Sequence, residues 1–291
     1  NELPEDTFVH WHGFELPGQY DGAATLTQNP IKPGQTMVFE FDVHEEGTFF
    51  YHSHVPMQEA FGQVGWFIVH PKKVYDPPVD RDFGLIFQNF FVEPTQTVAD
   101  SWKMDWNWHT INGRSGPLTT PLVCKHGERV RIRLMNFAPM QHHPIHLHGH
   151  TYWETGHEGA RTPSSAWIPR NNSLVGIAQA TNFEFIANNP GDWIFHCHMV
   201  HHMMNHMTRQ VGPRIRKGVN VDRYLQDTST RPTVDFTRND PGFSTPGYPQ
   251  KMLGMERTMP QMEAIWNRRE VRGMRANYPM AVKGLMTVLR V

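Results

Sequence analysis

Residues 129–134 read RVRIRL, in which charged and apolar side chains alternate without interruption. A period of two is typical of a β-strand that has one buried and one polar face. The same alternation occurs at residues 36–43, TMVFEFDV, and at residues 182–186, NFEFI. Turn sequences separate such runs, among them KPG at 32–34 and NPG at 189–191, with spacings typical of a β-sandwich. The sequence therefore predicts an all-β protein.

A stretch rich in proline and charge at residues 71–82 interrupts the strand pattern and predicts a linker. The chain of 291 residues is long enough for two domains. We predict a first domain at residues 1–71, a linker at 72–83, a second domain at 84–216 and a mostly irregular, methionine-containing extension at 217–291. Within the extension, a proline and a glycine at its two ends predict a short helix at 260–272, and residues 281–291 predict a last strand. Because the first domain begins in the middle of a strand pattern, we expect upstream strands and an export signal to be missing from this sequence.

Composition narrows the classes of partner. The chain has 27 basic and 28 acidic residues and a net charge of −1, which argues against nucleic acid as the main partner. No run approaches the ~18 apolar residues of a membrane-spanning helix, so no membrane span is expected. Two cysteines permit at most one disulfide.

Histidine is the unusual residue: there are 19, and 11 of them lie between His142 and His206. Eight of the histidines form four His-x-His motifs, at His10 and His12, His52 and His54, His146 and His148, and His196 and His198. On a strand, residues two apart share a face, so each motif presents two imidazoles together. Imidazole is a ligand for copper, zinc, iron and nickel, so the motifs predict metal binding without identifying the metal.

Cys197 lies between His196 and His198, so on a strand its side chain points away from theirs. His143 lies three residues before His146 and faces away from that motif for the same reason. His202 and Met207 follow Cys197 at intervals of five and ten residues. Two histidines, a cysteine thiolate and a weak methionine are the ligand set of a blue-copper site, so two kinds of metal centre are predicted.

Taken together, the four motifs in this order resemble the multicopper oxidases, the laccase-like enzymes built of linked cupredoxin domains, over about residues 3–212. The sequences DG at 21–22, TQNPI at 27–31 and NPGDW at 189–193 add to the resemblance. It implies two cupredoxin-like Greek-key β-sandwich domains and four copper ions per subunit. It further implies that one-electron oxidation of a phenolic or similar small donor is coupled to four-electron reduction of O2 to water, in the periplasm or outside the cell.

The resemblance also assigns residues to these copper ions. The type 1 copper falls to His143, Cys197, His202 and Met207; the type 2 copper to His10 and His146; and the type 3 pair to His12, His52, His54, His148, His196 and His198. Asp21 matches the acidic residue that relays protons in relatives. Donor electrons would enter through an exposed edge of His143 or His202 and leave through the Cys197 backbone.

Only 89 residues separate His54 from His143, too few for the third cupredoxin domain that many laccases carry there. The first-domain motif contains no cysteine, so the type 1 copper belongs to the second domain. In two-domain relatives the trinuclear cluster lies between subunits of a ring-shaped homotrimer, and the resemblance implies this arrangement here.

Three alternatives remain. A metal-ion oxidase acting on Cu(I) or Fe(II) belongs to the same family, and a copper-sequestering protein would use the methionines Met252, Met255, Met259 and Met262. A copper nitrite reductase needs its blue site in the first domain, which argues against it.

Outside the motifs, we expect His44, His70, His109, His126 and His157 to be ordinary surface or turn residues. Cys124 is expected to be a small buried apolar side chain.

Overall fold

The computed structural model describes residues 1–91, 106, 108–203, 265–275 and 278–291. These residues form fourteen strands in three sheets with very little helix, which confirms the all-β prediction. Among the described residues, the helical elements include α1 (Pro56–Ala60), α2 (Tyr278–Ala281) and the 3-10 turns Gly18–Tyr20, Ser164–Ala166, Val200–Met203 and Arg269–Val271. No helix of these residues is long and apolar enough to cross a membrane.

The N-terminal part contains a three-stranded antiparallel sheet in the order β1 (Val9–His12), β2 (Gly47–Ser53) and β3 (Val64–Val69). One face carries an aromatic cluster around Trp11, whose ring contacts Phe67 at 5.6 Å between centroids. On the opposite face, Phe50 packs in a common apolar cluster with Met135 and Phe137 of the C-terminal part. The three-stranded sheet therefore packs against the C-terminal part through this apolar cluster.

The predicted strand at residues 36–43 is wrong, since these residues belong to no sheet. The alternation nevertheless places two apolar side chains on the inner side: the rings of Phe39 and Phe41 contact that of Trp11 at 5.2 and 5.7 Å between centroids. A strand also requires a hydrogen-bonded neighbour, and no backbone bond joins 36–43 to a strand among the residues described.

The C-terminal part is a β-sandwich of two sheets. The six-stranded sheet has the order β10 (Ile168–Arg170), β9 (Tyr152–His157), β12 (Ala180–Ile186), β7 (Arg129–Asn136), β4 (Arg81–Phe90) and β5 (Trp108–Ile111). The five-stranded sheet has the order β11 (Asn172–Val175), β8 (His143–Leu147), β13 (Asp192–Cys197), β14 (Met286–Arg290) and β6 (Leu122–Val123). Ile132 of β7 and Phe195 of β13, both fully buried, belong to the core between the two sheets.

The predicted strands around residues 129–134 and 182–186 are confirmed as β7 and β12. The arginines of β7 are not solvated, however. Arg131 and Arg133 are buried and both pair with Asp82 of β4, and Arg133 also donates a hydrogen bond to Thr48 of β2. The polar face of this strand is therefore part of the contact between the two parts of the chain.

The predicted C-terminal strand is confirmed as β14, which pairs antiparallel with β13 and parallel with β6. It lies between β13 and β6 in the five-stranded sheet, so the end of the extension is integral to the second sandwich. Of the helix predicted at 260–272, residues 260–264 lie outside the described residues; Ile265 and Trp266 are α-helical, and after a turn the 3-10 element Arg269–Val271 follows. At the linker, β4 begins at Arg81, before the predicted linker ends.

Candidate metal centres

Two imidazole clusters arise from the same local construction. In β1 and β2, His10 lies opposite His52, and in β8 and β13, His146 lies opposite His196. The first imidazole cluster comprises His10, His12, His52 and His54, with contacting ring centroids 5.3 to 6.2 Å apart. The second imidazole cluster comprises His146, His148, His196 and His198, with centroids 4.7 to 5.7 Å apart. Each cluster thus contains two His-x-His motifs on adjacent antiparallel strands.

The backbone fixes the tautomer of four rings. Nδ1 donates a hydrogen bond to a main-chain carbonyl in His10 (Asp21, 2.6 Å), His52 (Ser53, 2.8 Å), His196 (Cys197, 2.8 Å) and His146 (Asn171). Because a carbonyl only accepts, Nδ1 carries the proton and Nε2 keeps a lone pair for a metal. Two of these Nε2 atoms face another imidazole nitrogen: that of His52 lies 3.4 Å from His12 Nδ1, and that of His196 lies 3.0 Å from His148 Nε2.

The turn that follows the first motif explains the Asp21 contact. Gly22 has φ of +84°, and a Cβ there would lie 2.0 Å from the carbonyl oxygen of Val9. Only glycine lets this turn approach β1 so closely. The turn brings the Asp21 carbonyl to His10, and the Asp21 carboxylate lies 3.4 Å from the same Nδ1.

A third group, the sulfur site, lies on the inner face of the sandwich and comprises His143, Cys197 and His202. The Nδ1 atoms of the two histidines are 3.1 Å apart, and Cys197 Sγ lies 3.6 and 3.4 Å from them. All three side chains are buried. They come from β8, from the last residue of β13 and from the 3-10 turn Val200–Met203, while His146 and His196 point to the other face of the same sheet.

The sulfur site has the dimensions of a metal site. A point equidistant from the three donor atoms lies about 2.0 Å from each, close to the length of a metal–imidazole bond. The donor set, two imidazole nitrogens and one sulfur, is the trigonal arrangement that favours copper. The residues present therefore fit a copper ion.

Burial controls the protonation of these donors. It lowers the pKa of His143 to about 3, with His202 and His142 adding to the effect, and it lowers the pKa of His202 to about 4. Burial likewise lowers the pKa of His12 and of His196 to about 4. It raises the pKa of the Cys197 thiol to about 12. These four imidazoles are thus neutral and ready to bind, and a cation at the sulfur site would have to displace the thiol proton.

The structure shows where the predicted site residues lie. The structure brings eleven of the twelve predicted metal ligands into these three groups, with His54 and His198 at the exposed edge of their clusters. Met207 lies outside the described residues, as do Met252, Met255, Met259 and Met262. Cys124 is buried, and burial raises the pKa of its thiol to about 11.

Two expectations from the sequence, the exposure of the sulfur-site imidazoles and that of His109, are wrong. His143 and His202 have no exposed edge, because Phe87 packs against the first ring and His109 against the second. His109 is not a surface residue: it is fully buried, and its ring stacks on that of His202 at 4.2 Å between centroids. Burial, followed by the neighbouring imidazoles, holds the pKa of His109 well below its usual range. No local motif marks this residue, since its position follows from the pairing of β5 with β4. His44, His70, His126 and His157 are exposed, as expected.

Fold and site together define a copper-binding β-sandwich protein of the cupredoxin class. Two family models, both described as multicopper oxidase, match residues 1–74 and 91–215. The chain belongs to the multicopper oxidase family.

Among individual relatives, the chain is 31% identical over 112 residues to copper resistance protein A of Escherichia coli, covering 38% of this chain and 18% of that protein. It is 29% identical over 202 residues to laccase-2 of Trametes versicolor, covering 65% and 38% respectively. The blue copper oxidase structure from Nitrosomonas europaea aligns with a TM-score of 0.64 and 28% identity over 71% of this chain and 67% of that one. The chain spans less than two fifths of the length of both sequence relatives.

Proposed function

We propose that this protein is a laccase-like multicopper oxidase that couples one-electron oxidation of a phenolic or similar donor to reduction of O2 to water. The observation that carries the proposal is the position of Cys197: its sulfur belongs to the sulfur site, while His196 and His198 on either side belong to the second imidazole cluster. Bound copper would supply the one-electron couples and the oxygen chemistry. We further propose domains at residues 1–71 and 84–216 and a linker at 72–83, with two strands, β4 and β14, that begin in the linker and in the extension at 217–291 and complete the second sandwich.

The ligand assignments are those that the resemblance to multicopper oxidases implies, and the separation of the sulfur site from the imidazole clusters supports them. His143, Cys197, His202 and Met207 would hold type 1 copper. His10 and His146 would hold type 2 copper, and the type 3 pair would be held by His12, His52, His54, His148, His196 and His198, giving four copper ions per subunit. With copper bound, the Cys197 main chain would connect the sulfur site covalently to two ligands of the second cluster, His196 and His198.

The remaining residues orient ligands and move protons. Four backbone carbonyls fix the tautomers of cluster imidazoles, which is the outer-shell role that metal sites require. Asp21 would pass protons from solvent to the first cluster, since its carboxylate is partly exposed and lies 3.4 Å from His10 Nδ1. Because both sulfur-site imidazoles are buried, we propose that a donor binds at the surface beside them, where His142 and His201 are exposed.

We also propose that the protein is a homotrimer. Within one chain, no ring contact joins the first and second imidazole clusters in the described ranges, and each cluster has an exposed histidine at its edge. The first cluster of one subunit and the second cluster of the next would together provide all eight imidazoles. The periplasmic or extracellular location of laccases and of copper resistance proteins is proposed for this chain as well.

Oxygen uptake with a phenolic donor tests the proposal. Parent protein loaded with copper should consume O2 and show the visible band of a copper–thiolate centre. Cys197→Ser should lose the band and more than about 100-fold in rate, since even outer-shell partners of metal ligands contribute 10–100-fold. Cys124→Ser is the matched control, because Cys124 is also buried and its thiol donates to the Arg290 carbonyl, outside the sulfur site. A Cys197→Ser protein that keeps both band and turnover would refute the proposal.

The similarity to copper resistance protein A favours a second candidate, a Cu(I) or Fe(II) oxidase. Comparing rates of O2 uptake with a phenol, Fe(II) and Cu(I) separates the two reactions. A copper-sequestering protein would bind the metal and consume no O2 with any of the three donors.

A further inference from the structure

His109 is the one buried imidazole outside the proposed ligand set that contacts the sulfur site in the described part of the chain. It lies on β5 and is fully buried, and its ring plane is inclined by 29° to that of His202 at 4.2 Å between centroids. Phe87 approaches His143 differently, edge-on at 75° and 5.8 Å. The two proposed imidazole ligands therefore rest on different surfaces, and only His202 has a stacked imidazole behind it.

A chain of hydrogen bonds fixes the plane of the His109 ring. Its Nδ1 donates to the Asn89 side-chain carbonyl at 3.0 Å, and Asn89 is itself fully buried on β4. The Asn89 amide nitrogen donates to Gln141, whose main-chain carbonyl accepts a bond from Asn136 at 2.8 Å. Gln141 lies two residues before His143. These hydrogen bonds thus connect the ring that stacks on His202 to the loop that leads into His143.

Packing alone does not account for an imidazole at this position. The Nε2 atom of His109 is buried and has no hydrogen-bond partner among the residues described. A buried polar nitrogen without a partner destabilises the fold, and a phenylalanine ring would fill nearly the same space without that loss. Such a group calls for an explanation beyond the stability of the fold.

We infer that His109 is a positioning residue: it holds the ring of His202 in plane by stacking, and this contact lowers the reduction potential of a metal bound at the sulfur site. A polarisable ring against a ligand stabilises the more highly charged, oxidised metal more than the reduced one. An aliphatic side chain in its place would favour the reduced state and raise the potential. This follows from the general dependence of such sites on the polarity around their ligands.

The inference rests on the proposed copper at the sulfur site, and redox titration of the visible copper–thiolate band tests it. In His109→Leu we expect the potential to rise by about 59 mV, which is a tenfold change in the ratio of Cu(I) to Cu(II) affinity for a one-electron couple. In His109→Phe, which keeps a ring, we expect a clearly smaller rise and an unchanged band. His157→Leu removes an exposed imidazole that contacts Glu154 and should leave the potential unchanged.

His109→Gln distinguishes the effect of ring stacking from that of the hydrogen bond to Asn89. It also replaces His109→Leu as the test if the Leu variant does not fold. It keeps a donor for Asn89 but has no ring, so the inference predicts a potential close to that of His109→Leu. Potentials of the Gln and parent proteins that agree within error would overturn the inference, as would equal shifts in Phe and Leu. If loaded parent protein shows no copper–thiolate band, the proposed function itself fails. If only the shifts are absent, the role of His109 fails alone.

Discussion

Gln58 shows how one residue holds the strand that carries a metal motif. Its side-chain oxygen accepts hydrogen bonds from Thr7 at 2.7 Å and Ser53 at 2.6 Å, and its nitrogen donates to Glu5 and to the Asp6 carbonyl, both at 2.9 Å. All four hydrogen-bonding positions of the amide are therefore used, in a buried site. Because Ser53 lies between His52 and His54, this network fixes the backbone from which both imidazoles project.

We predict that Gln58→Leu destabilises the protein by roughly 1–3 kcal/mol, because the hydroxyls of Thr7 and Ser53 lose their buried acceptor. Denaturant titration measures the loss, and copper analysis should show reduced loading of the first imidazole cluster with the sulfur-site band intact. The exposed Gln35→Leu, in the same part of the chain, should change stability by less than about 0.5 kcal/mol. Equal stability of the two variants would contradict the role given to Gln58.

At the scale of elements, the segment leading into β14 forms hydrogen bonds with both ends of the turn that runs from Cys197 to His202. The Cys197 amide donates to the Leu285 carbonyl at 3.0 Å, and the Leu285 amide donates to the His202 carbonyl at 2.8 Å. Leu285 is fully buried in the sandwich core. A residue 83 positions beyond His202 thus sets the geometry of the sulfur site, although no local pattern around the copper motif includes it.

Leu285→Pro removes the amide that bonds to His202 while keeping an apolar side chain. We predict loss of most of the copper–thiolate band and a destabilisation of roughly 1–3 kcal/mol, since a buried carbonyl is left without its donor. Leu285→Met keeps the amide and nearly the same volume, so it should retain the band. A Pro variant with the parent spectrum would show that this bond is dispensable.

Asp82 connects β4 to both arginines of β7, and through Arg133 to Thr48 of the N-terminal sheet. Burial tends to raise the pKa of this carboxyl, but hydrogen bonds from Arg133 and Arg131 outweigh it and hold the pKa below its usual value of 3.8. A lowered pKa in the folded state means that the ion pairs stabilise the protein above the unfolded pKa. This contribution is lost as the pH falls through the folded pKa.

Accordingly, Asp82→Asn should destabilise the protein at pH 7 by roughly 1.5–3 kcal/mol, the usual range for hydrogen bonds to a charged group. The difference from the parent protein should shrink below pH 4, where the parent carboxyl begins to take up its proton. Denaturant midpoints measured from pH 7 to pH 3 test both parts. A difference that stays constant with pH would mean that the charge of Asp82 does not matter.

The elements also show which features the sequence can predict. The opposite orientations of Cys197 and its neighbours follow from the period of a strand, so local sequence is sufficient. Residues 36–43 have the same period but no strand partner, and His109 reaches His202 only because β5 pairs with β4. Features that depend on which segments become neighbours in space are not encoded in a local pattern.

At the scale of the whole molecule, the separation of the two imidazole clusters determines how the proposed subunits would have to assemble. In a closed ring, each proposed trinuclear centre would use the first cluster of one subunit and the second cluster of the next. Two variants, each inactive alone, can then complement each other. His52→Ala damages the first cluster only, and His196→Ala damages the second only.

When the two variants are co-expressed, we predict that oxygen uptake recovers to about a quarter of the parent rate, because random ring assembly pairs two intact clusters at one interface in four. The matched control combines His52→Ala with His12→Ala, which damages the same cluster in every subunit and should give no recovery. Light scattering must show parent-like mass for all samples. Mixed trimers without recovery would mean that each centre is built within a single chain, because only then is every centre of the mixture damaged.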